Sequence, residues 1–315
     1  MRWRTSAADP RFRTGSGSRS GPKNLGLPQV GGGSRFRICG TSLIPVLGIL
    51  LGAEAASADS FLAATPEAPA GYGAFLKQYV VKTDLAEPGF ETRFDYAKLY
   101  GQADQIGIRN IFRKHFLDQL PSEIEPESRI AWALNAYNFF VIDLVMTHAT
   151  AHEGELPASV KDLGEDVFTR DRFTIEGETY SLDSFERRFL FLDRDPQSGK
   201  VPARLDPRLH FALVCGAVGC PPLWPEPFRG RKLDEMLDTC VANALAGPRH
   251  LHAQGKTIHA SQIFSWYKTD FANHGGVVGF IKEFAPDGRK KSLFGGELMK
   301  PVVTDIEWDW GLNRP

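Results

Sequence analysis

The chain has almost no net charge. Its 37 Lys and Arg residues are balanced by 38 Asp and Glu residues, so the formal charge is −1 over 315 residues. A protein that binds nucleic acid usually has a marked excess of basic residues that meet the phosphates. The composition, 42% hydrophobic and 24% charged, also differs from that of disordered, collagen-like and multi-span membrane proteins. We therefore expect a globular protein with no nucleic-acid partner.

The N-terminal region, residues 1–58, has the layout of an export signal. Arg35 and Arg37 precede an uncharged, mostly apolar stretch at residues 38–51, and the small-x-small sequence at residues 56–58 follows it. The apolar stretch is shorter than the ~20 residues that a comfortable membrane span requires. We predict a leader and signal peptide that is removed on export, with an uncleaved anchor as the alternative. The mature protein is then periplasmic or secreted and has no integral membrane span.

Cysteine is scarce. The chain has four cysteines, and three of them, Cys215, Cys220 and Cys240, follow the predicted leader. An odd number in an oxidising compartment allows at most one internal disulfide and leaves one thiol. Cys215 and Cys220 are the candidate pair, because they enclose a short loop that contains two glycines.

The mature chain has the length of one domain and shows no internal repeat. We expect residues 59–93 to form an N-terminal extension and residues 94–315 to form the domain. Helical spacing of apolar residues predicts helices at 96–120, 123–148, 232–245 and 277–284. The second of these is apolar on nearly all sides, which is typical of a helix buried in the middle of a domain.

Strand patterns are short. Residues 172–182 alternate across a turn at Glu176-Gly177-Glu178, which predicts a hairpin. The apolar run at 209–215 predicts a buried strand that ends at Gly216, and residues 263–271 form a short aromatic segment. Together with the helices, these patterns predict an α+β fold: a single domain with helices packed around a small, mainly antiparallel sheet.

Three stretches carry a family resemblance. Residues 131–138 read Ala-Trp-Ala-Leu-Asn-Ala-Tyr-Asn, residues 206–223 include Asp-Pro-Arg-Leu-His-Phe-Ala-Leu-Val-Cys-Gly and Cys-Pro-Pro-Leu, and residues 264–271 read Phe-Ser-Trp-Tyr-Lys-Thr-Asp-Phe. Their order and spacing resemble the domain of unknown function 547 family, over about residues 94–313. The resemblance implies a protein of bacterial, often exported, type and assigns no reaction. The family pattern commonly has an acid followed by His where this chain has Glu186-Arg187, so any role of that His is absent here.

Cysteine-dependent acyl transfer is the catalytic hypothesis. A cysteine nucleophile needs a base and an orienting acid or amide, and Cys215, His210 and Glu186 supply these residue types. A Gly-rich turn after Cys215 could aim backbone N–H groups at an oxyanion. However, five positions separate His210 from Cys215, so a regular strand places them on opposite faces, and they meet only across a bulge or bend.

Three other interpretations of these residues stay open. Cys215 can be a small core residue, with His210 a buried imidazole that has its hydrogen bonds and Glu186 a surface carboxylate. Cys215 and Cys220 can form a structural disulfide, in which case Cys215 is no nucleophile. A zinc site built from His210 and the three cysteines has neither the usual spacing nor a favourable compartment.

Residues around these positions are candidates for a pocket. Asn135 and Asn138 lie three positions apart on the buried helix, so both amides need hydrogen bonds, either to loop backbone or in a pocket. The candidate pocket or supporting residues are Asn135, Tyr137, Asn138, Arg208 and Cys220. The tryptophans near the third motif and near the C-terminus are candidates for a carbohydrate or peptide platform, or for the core.

The sequence therefore predicts an exported protein of one of two kinds. The first is a cysteine-dependent hydrolase or acyltransferase that uses Cys215 with His210 and Glu186. The alternative is a non-catalytic envelope binding or scaffold module with a Cys215–Cys220 disulfide. We expect no cofactor and no metal, and a small-molecule, peptide or envelope substrate as the partner.

Overall fold

The computed structural model describes residues 64–86, 88–120, 125–191, 206–255, 257–295 and 302–315. These residues lie within one compact unit of the chain. The predicted leader, residues 1–58, lies outside the described residues. The α-helices are α1 (Tyr72–Tyr79), α2 (Tyr96–Tyr100), α3 (Gln105–Asp118), α4 (Pro126–Ala151), α5 (Leu182–Phe189), α6 (Leu233–Ala246), α7 (Ile263–Trp266), α8 (Gly276–Phe284) and α9 (Asp287–Phe294).

The long helix α4 is the centre of the core. It begins with Pro126, whose fixed φ and missing N–H suit the first position of a helix. Of the described helices, only α4 is long and apolar enough to cross a membrane, but 83% of its most apolar window is buried by the rest of the protein. The prediction of a buried helix at 123–148 is therefore confirmed, with an end three residues later.

Aromatic side chains join α4 to its neighbours. On one side, the Trp132 ring contacts Phe185 and Phe189 of α5, with ring centroids 5.8 and 5.4 Å apart. On another side, Phe139 meets Phe112 and other rings of α3. The N-terminal helix α1 adds Tyr72 to this cluster, so residues assigned to the N-terminal extension contribute to the core.

The helical pattern at 96–120 belongs to two helices. Asp95 accepts a hydrogen bond from the Lys98 backbone N–H at 2.9 Å and so begins α2. Gly101 ends α2, and α3 begins at Gln105 after a turn. Both helices keep the predicted apolar face, because Leu99, Phe112 and Phe116 are buried.

The strands of the described residues form three small sheets. These are a hairpin of β1 (Val80–Asp84) and β2 (Phe90–Phe94), a hairpin of β3 (Phe173–Ile175) and β4 (Glu178–Tyr180), and a sheet of β5 (Leu251–Gln254), β6 (Thr257–Ser261) and β7 (Val302–Ile306). All pairs are antiparallel except β6 with β7. The predicted hairpin at 172–182 is confirmed; Glu176 and Gly177, both at positive φ, make its turn. The α+β class is confirmed, with three sheets where one was expected.

The predicted strand at 209–215 is wrong. Residues Pro207–Phe211 form a 3₁₀ helix, and the chain continues through irregular backbone to Cys215. Asp206 begins the helix by accepting a hydrogen bond from the Arg208 N–H at 2.9 Å, and Pro207 takes its first position. A short apolar run that is buried on all sides has the same sequence pattern in a strand and in a helix, so periodicity could not separate the two.

The C-terminal segment, residues 309–313, lies between two other segments. Leu312 N–H donates to the Ala158 carbonyl at 3.0 Å, and Val218 N–H donates to the Gly311 carbonyl at 2.8 Å. Asn313 N–H donates to the Gly216 carbonyl at 2.8 Å. The loop that follows Cys215 is thus held by the end of the described chain.

Candidate functional site

The first amide of the Asn-Ala-Tyr-Asn motif joins distant backbone segments. Asn135 Nδ2 donates to the carbonyls of Glu67 and Phe228, at 2.9 and 3.0 Å, and Asn135 Oδ1 accepts from the Phe228 N–H at 2.8 Å. A buried amide that makes all these bonds holds loop backbone groups that have no other backbone partner. This geometry corresponds to the structural interpretation of Asn135.

The second amide fixes the segment after His210. Asn138 Nδ2 donates to the Ala212 carbonyl at 3.0 Å, and Asn138 Oδ1 accepts from the Val214 N–H at 3.0 Å. These two bonds hold irregular backbone between the 3₁₀ helix and Cys215 against α4. Asn138 therefore positions the part of the chain that carries His210.

His210 is oriented by a carboxylate. Its Nε2 lies 2.9 Å from Asp270 Oδ2, and the residue is 4% exposed. Because an ionised carboxylate only accepts hydrogen bonds, Nε2 carries the proton and Nδ1 carries the lone pair. Nδ1 is buried and has no partner among the described residues. Asp270 and His210 thus form a dyad in which one ring nitrogen is left to act as a base.

Two aromatic rings enclose the imidazole. The Tyr267 ring stacks on His210 with centroids 3.8 Å apart and planes 16° apart, and the Phe191 ring stacks at 4.8 Å and 28°. Burial lowers the pKa of His210, although the Asp270 carboxylate acts in the opposite direction. The imidazole is therefore neutral at pH 7, as a general base must be.

The carboxyl group of Glu186 is buried. It lies on α5, which begins with a reciprocal cap between Ser181 and Ser184, and it is 0% exposed. Neither of its carboxyl oxygens has a partner among the described residues. Burial raises the pKa of Glu186 to about 8, with the nearby Asp183 carboxylate adding to the effect and Arg187 opposing it. At pH 7 the group is mostly protonated and can donate a proton.

The charge of this acid acts on two tyrosines. Burial raises the pKa of Tyr137 and of Tyr267 far above the ordinary value, and the charge of Glu186 is the next cause for each. Asp270 also acts on Tyr267. Tyr267 therefore stacks on the imidazole of the dyad and also responds to the charge of the acid, and both phenols stay protonated.

Cys215 is bonded to Cys220. The two cysteines form a disulfide with their Cα atoms 6.3 Å apart, and Cys215 N–H also donates to Cys220 Sγ at 3.1 Å. Gly216 follows with φ +85°, a conformation that favours glycine. In this form Cys215 has no thiol, and the hydrogen bond of His210 goes to Asp270 instead of to a cysteine. Cys240 is free and buried.

Arg208 lies in a surface groove beside the 3₁₀ helix. Its guanidinium binds the carboxylates of Asp206, Asp234 and Asp238. The groove has a volume of about 430 Å³, and its lining also includes His274. The donors of Arg208 are therefore used by these carboxylates.

The sequence analysis did not single out Asp270 or Phe191. Asp270 was visible as part of the third motif at 264–271, but its carboxylate gave no sign that it would reach His210 across 60 positions. Phe191 had no distinguishing signal. Within the described ranges, no group of three or more His, Cys, Asp or Glu side chains is arranged to hold a metal ion.

The central part of the chain has a family match. Residues 121–243 match the family described as Protein of unknown function, DUF547. The matched part includes the amides of α4, Glu186, His210 and both bonded cysteines, whereas Asp270 and Tyr267 follow it. The DUF547 match supports the resemblance that the motifs indicated. No curated protein and no solved structure matches the chain.

Proposed function

We propose that this protein is an exported hydrolase or acyltransferase in which the Asp270–His210 dyad is the base and Glu186 is the proton donor. One observation carries the proposal: the Glu186 carboxyl group is 0% exposed and its two oxygens have no partner among the described residues. Phe191 links it to the dyad, since the Phe191 N–H donates to the Glu186 backbone carbonyl at 3.0 Å and the Phe191 ring stacks on His210, whose outer nitrogen is also unpaired. Buried polar groups are usually paired, so each exception calls for an explanation, and a catalytic role is one such explanation.

The pKa shifts leave His210 able to accept a proton and Glu186 able to donate one at pH 7. Burial favours the neutral form of each, so at pH 7 the imidazole lacks a proton and the carboxyl group has one. An acid–base pair of this kind can take a proton from a nucleophile and supply one to an oxygen or nitrogen of the substrate. Water as the nucleophile gives hydrolysis, and an alcohol or amine gives acyl transfer. With Cys215 in a disulfide, this version of the hypothesis does not use a cysteine nucleophile.

The disulfide favours the second candidate, a non-catalytic envelope binding or scaffold module. In that case Cys215 and Cys220 fix the loop that pairs with the C-terminal segment. A structural disulfide also supports an exported protein, because the cytosol keeps thiols reduced. Mass spectrometry of protein from the periplasm or medium should find a chain that begins near Asp59. An intact species from Met1 in the cytoplasm would contradict export.

The expected partner is a small molecule, a peptide or an envelope component. We propose no nucleic acid, no cofactor and no metal, because neither the charge balance nor the site calls for them.

The test is turnover of a panel of chromogenic esters and peptide anilides between pH 5 and 9. We expect the wild type to hydrolyse at least one acyl substrate and Glu186→Gln, His210→Ala and Asp270→Asn each to lose ~100-fold or more. Asp238→Asn, which changes a carboxylate bound to Arg208 in the groove, is the control and should keep its rate. Turnover of no substrate, or turnover that survives His210→Ala, would overturn the proposal in favour of the binding module.

A further inference from the structure

A narrow cleft beside the disulfide holds three buried polar atoms that the proposed reaction does not use. Thr92, His250 and Asn313 line the cleft, and none of these residues is more than 6% exposed. Thr92 Oγ1, His250 Nδ1 and Asn313 Oδ1 have no hydrogen-bond partner among the described residues. A buried polar atom without a partner costs free energy, so three of them in one cleft call for an explanation.

Cys220 lines the same cleft. The cleft therefore brings together a cysteine, a histidine and an asparagine, the three residue types that form the catalytic sites of Cys-His-Asn hydrolases. In such a site the imidazole accepts the proton of the thiol, and the amide oxygen orients the imidazole. Cys215, the partner of Cys220 in the disulfide, does not line the cleft.

The backbone also favours Cys220 as the reactive sulfur. The Cys215 N–H donates to Cys220 Sγ at 3.1 Å. After reduction, the same N–H stabilises a thiolate on Cys220, because a hydrogen bond to the charged form lowers the pKa of a thiol. Of the two sulfurs, Cys220 Sγ is therefore the one that is prepared to act as a nucleophile.

His250 has the protonation state of a base. Burial lowers the pKa of His250 to about 4, with the Arg249 charge adding to the shift and the Glu91 charge and the Cys220 backbone opposing it. The imidazole is therefore neutral at pH 7 and can accept a proton. Arg249 and Glu91 form an ion pair that also lines the cleft, and their side chains are 28% and 24% exposed, so the cleft meets solvent at this pair.

The Asn313 amide is held in place by its nitrogen. Asn313 Nδ2 donates to the Thr92 carbonyl at 2.9 Å, which leaves Oδ1 in the cleft without a partner among the described residues. When His250 Nδ1 takes a proton, both ring nitrogens carry hydrogen, and Asn313 Oδ1 can accept a hydrogen bond from Nε2. Asn313 acts through the imidazole and is therefore a positioning residue.

We propose that reduction of the disulfide converts this cleft into a second acyl-transfer site, in which Cys220 is the nucleophile, His250 is the base and Asn313 positions the imidazole. Its substrates are esters or thioesters of small acyl groups such as acetyl, because the cleft is narrow. This site shares no residue with the site of the proposed function and acts only in the reduced protein, so it is a further activity.

The reaction balances as follows. An external dithiol supplies two electrons and two protons to the disulfide and is itself oxidised to a disulfide. The Cys220 thiol gives its proton to His250 Nδ1 while its sulfur bonds to the carbonyl carbon. The leaving group then takes that proton and departs, which leaves a thioester on Cys220. Water gives a proton to His250 as its oxygen bonds to the thioester carbon, and the departing sulfur recovers this proton. Ester plus water thus gives acid plus alcohol.

Two serine variants break the disulfide from either side. Cys215→Ser frees Cys220, and Cys220→Ser frees Cys215, so both lose the same covalent bond. Without reductant, we expect Cys215→Ser to hydrolyse para-nitrophenyl acetate ~100-fold faster than Cys220→Ser, and mass spectrometry to find the acetyl group on Cys220. His250→Gln added to Cys215→Ser should remove this difference, whereas His252→Gln, outside the cleft, should keep it.

Alkylation of the reduced wild type tests the nucleophile without a substitution. We expect iodoacetamide at pH 7 to modify Cys220 about tenfold faster than Cys215, and His250→Gln to slow the reaction at Cys220. In the Cys215→Ser protein, Asn313→Asp should move the acid side of the pH–rate profile to higher pH, because a carboxylate stabilises the imidazolium. An amide that only held the fold would leave this profile unchanged.

Three outcomes overturn the inference: equal or absent turnover by the two serine variants, turnover by Cys215→Ser that survives His250→Gln, or equal alkylation of the two cysteines. An unchanged pH profile in Asn313→Asp overturns the role of Asn313. Turnover by the oxidised wild type concerns only the proposed function, since Cys220 is then in the disulfide, so the failure of one site is distinguishable from the failure of the other.

Discussion

Asn135 and Asn138 on α4 and the nearby pair Glu186 and His210 are all buried polar residues, yet their hydrogen bonding differs. Each amide uses both its oxygen and its nitrogen on backbone groups. Glu186 has no such partner, and His210 has one on Nε2 only. The amides lower the energy of the fold, whereas Glu186 raises it when ionised. The proposed function uses this difference: the two amides hold the structure, and Glu186 and His210 are the proposed acid and base.

The largest loss of stability should come from removing the packing between α4, which carries the two amides, and α5, which carries Glu186. Trp132 is fully buried and contacts the α5 rings on either side of Glu186. Trp132→Ala leaves a cavity, and we expect it to reduce the free energy of unfolding by about 3–5 kcal/mol. Chemical denaturation measures this. Trp224→Ala, at a half-buried position, is the control; an equal loss there would mean that α4 is not the centre of the core.

Substitution of the buried amides should cause the second-largest loss of stability. Asn135→Leu leaves the Glu67 and Phe228 backbone groups without partners, so we expect a loss of about 2–4 kcal/mol. Asn273→Leu, at an exposed site in the 3₁₀ helix Ala272–His274, should change stability little. Equal denaturation midpoints for Asn135→Leu and the wild type would show that the amide bonds do not hold the loops.

Substitution of Glu186 should raise the stability of the protein, whereas the substitutions above lower it. Its pKa is higher in the folded protein than in the unfolded chain, so its contribution is fully favourable below pH 4.5 and is lost as pH rises through about 8. We expect Glu186→Gln to raise stability by about 2 kcal/mol at pH 9, after allowance for relaxation around the charge, and to leave it unchanged near pH 4. Thermal melts across this pH range measure the effect.

Glu67 is the matched control for Glu186. Burial alone would raise its pKa, but hydrogen bonds from Ser128 and from the Gly230 N–H hold the pKa of Glu67 below its usual value. Its stabilising contribution is present at neutral pH and is lost as pH falls. Glu67→Gln should therefore destabilise the protein at pH 7, by about 1 kcal/mol. If both substitutions change stability in the same direction at pH 9, the contrast between paired and unpaired acids fails.

The disulfide should have an effect on stability as small as that of Glu67→Gln. It closes a short loop that also has hydrogen bonds to the C-terminal segment, so we expect Cys215→Ala with Cys220→Ala to cost about 1 kcal/mol. Peptide mapping without reductant should show the Cys215–Cys220 bond in the wild type. A free Cys215 that is alkylated fastest, at a pH well below 8, would restore the cysteine nucleophile.

The sequence predicted regular elements better than it predicted contacts between them. The apolar stretch of α4 and the turn at Glu176-Gly177 are local patterns, and both were correct. Residues 209–215 were assigned to a strand because a short buried run has no periodicity that distinguishes a strand from a 3₁₀ helix, even though Asp206-Pro207 is a helix start.

The site was only partly accessible from sequence. The second motif pointed to His210, and the position of Glu186 between motifs made it a candidate. The sequence could not show that Asp270 binds His210 or that Glu186 is sealed from water, since both depend on how α5, the 3₁₀ helix and the turn after α7 meet. The spacing of residues along the chain does not reveal such contacts between distant residues.

The position of Asn313 has a consequence for the order of events during biosynthesis. Its side chain donates to the Thr92 carbonyl across 221 positions, and its N–H closes the loop at Gly216. The ribosome makes both acceptors long before it reaches residue 313. A nascent chain can form α4 early, but this junction stays open until almost the whole described chain has left the ribosome. The hydrogen bonds of Asn313 therefore form later than those within α4.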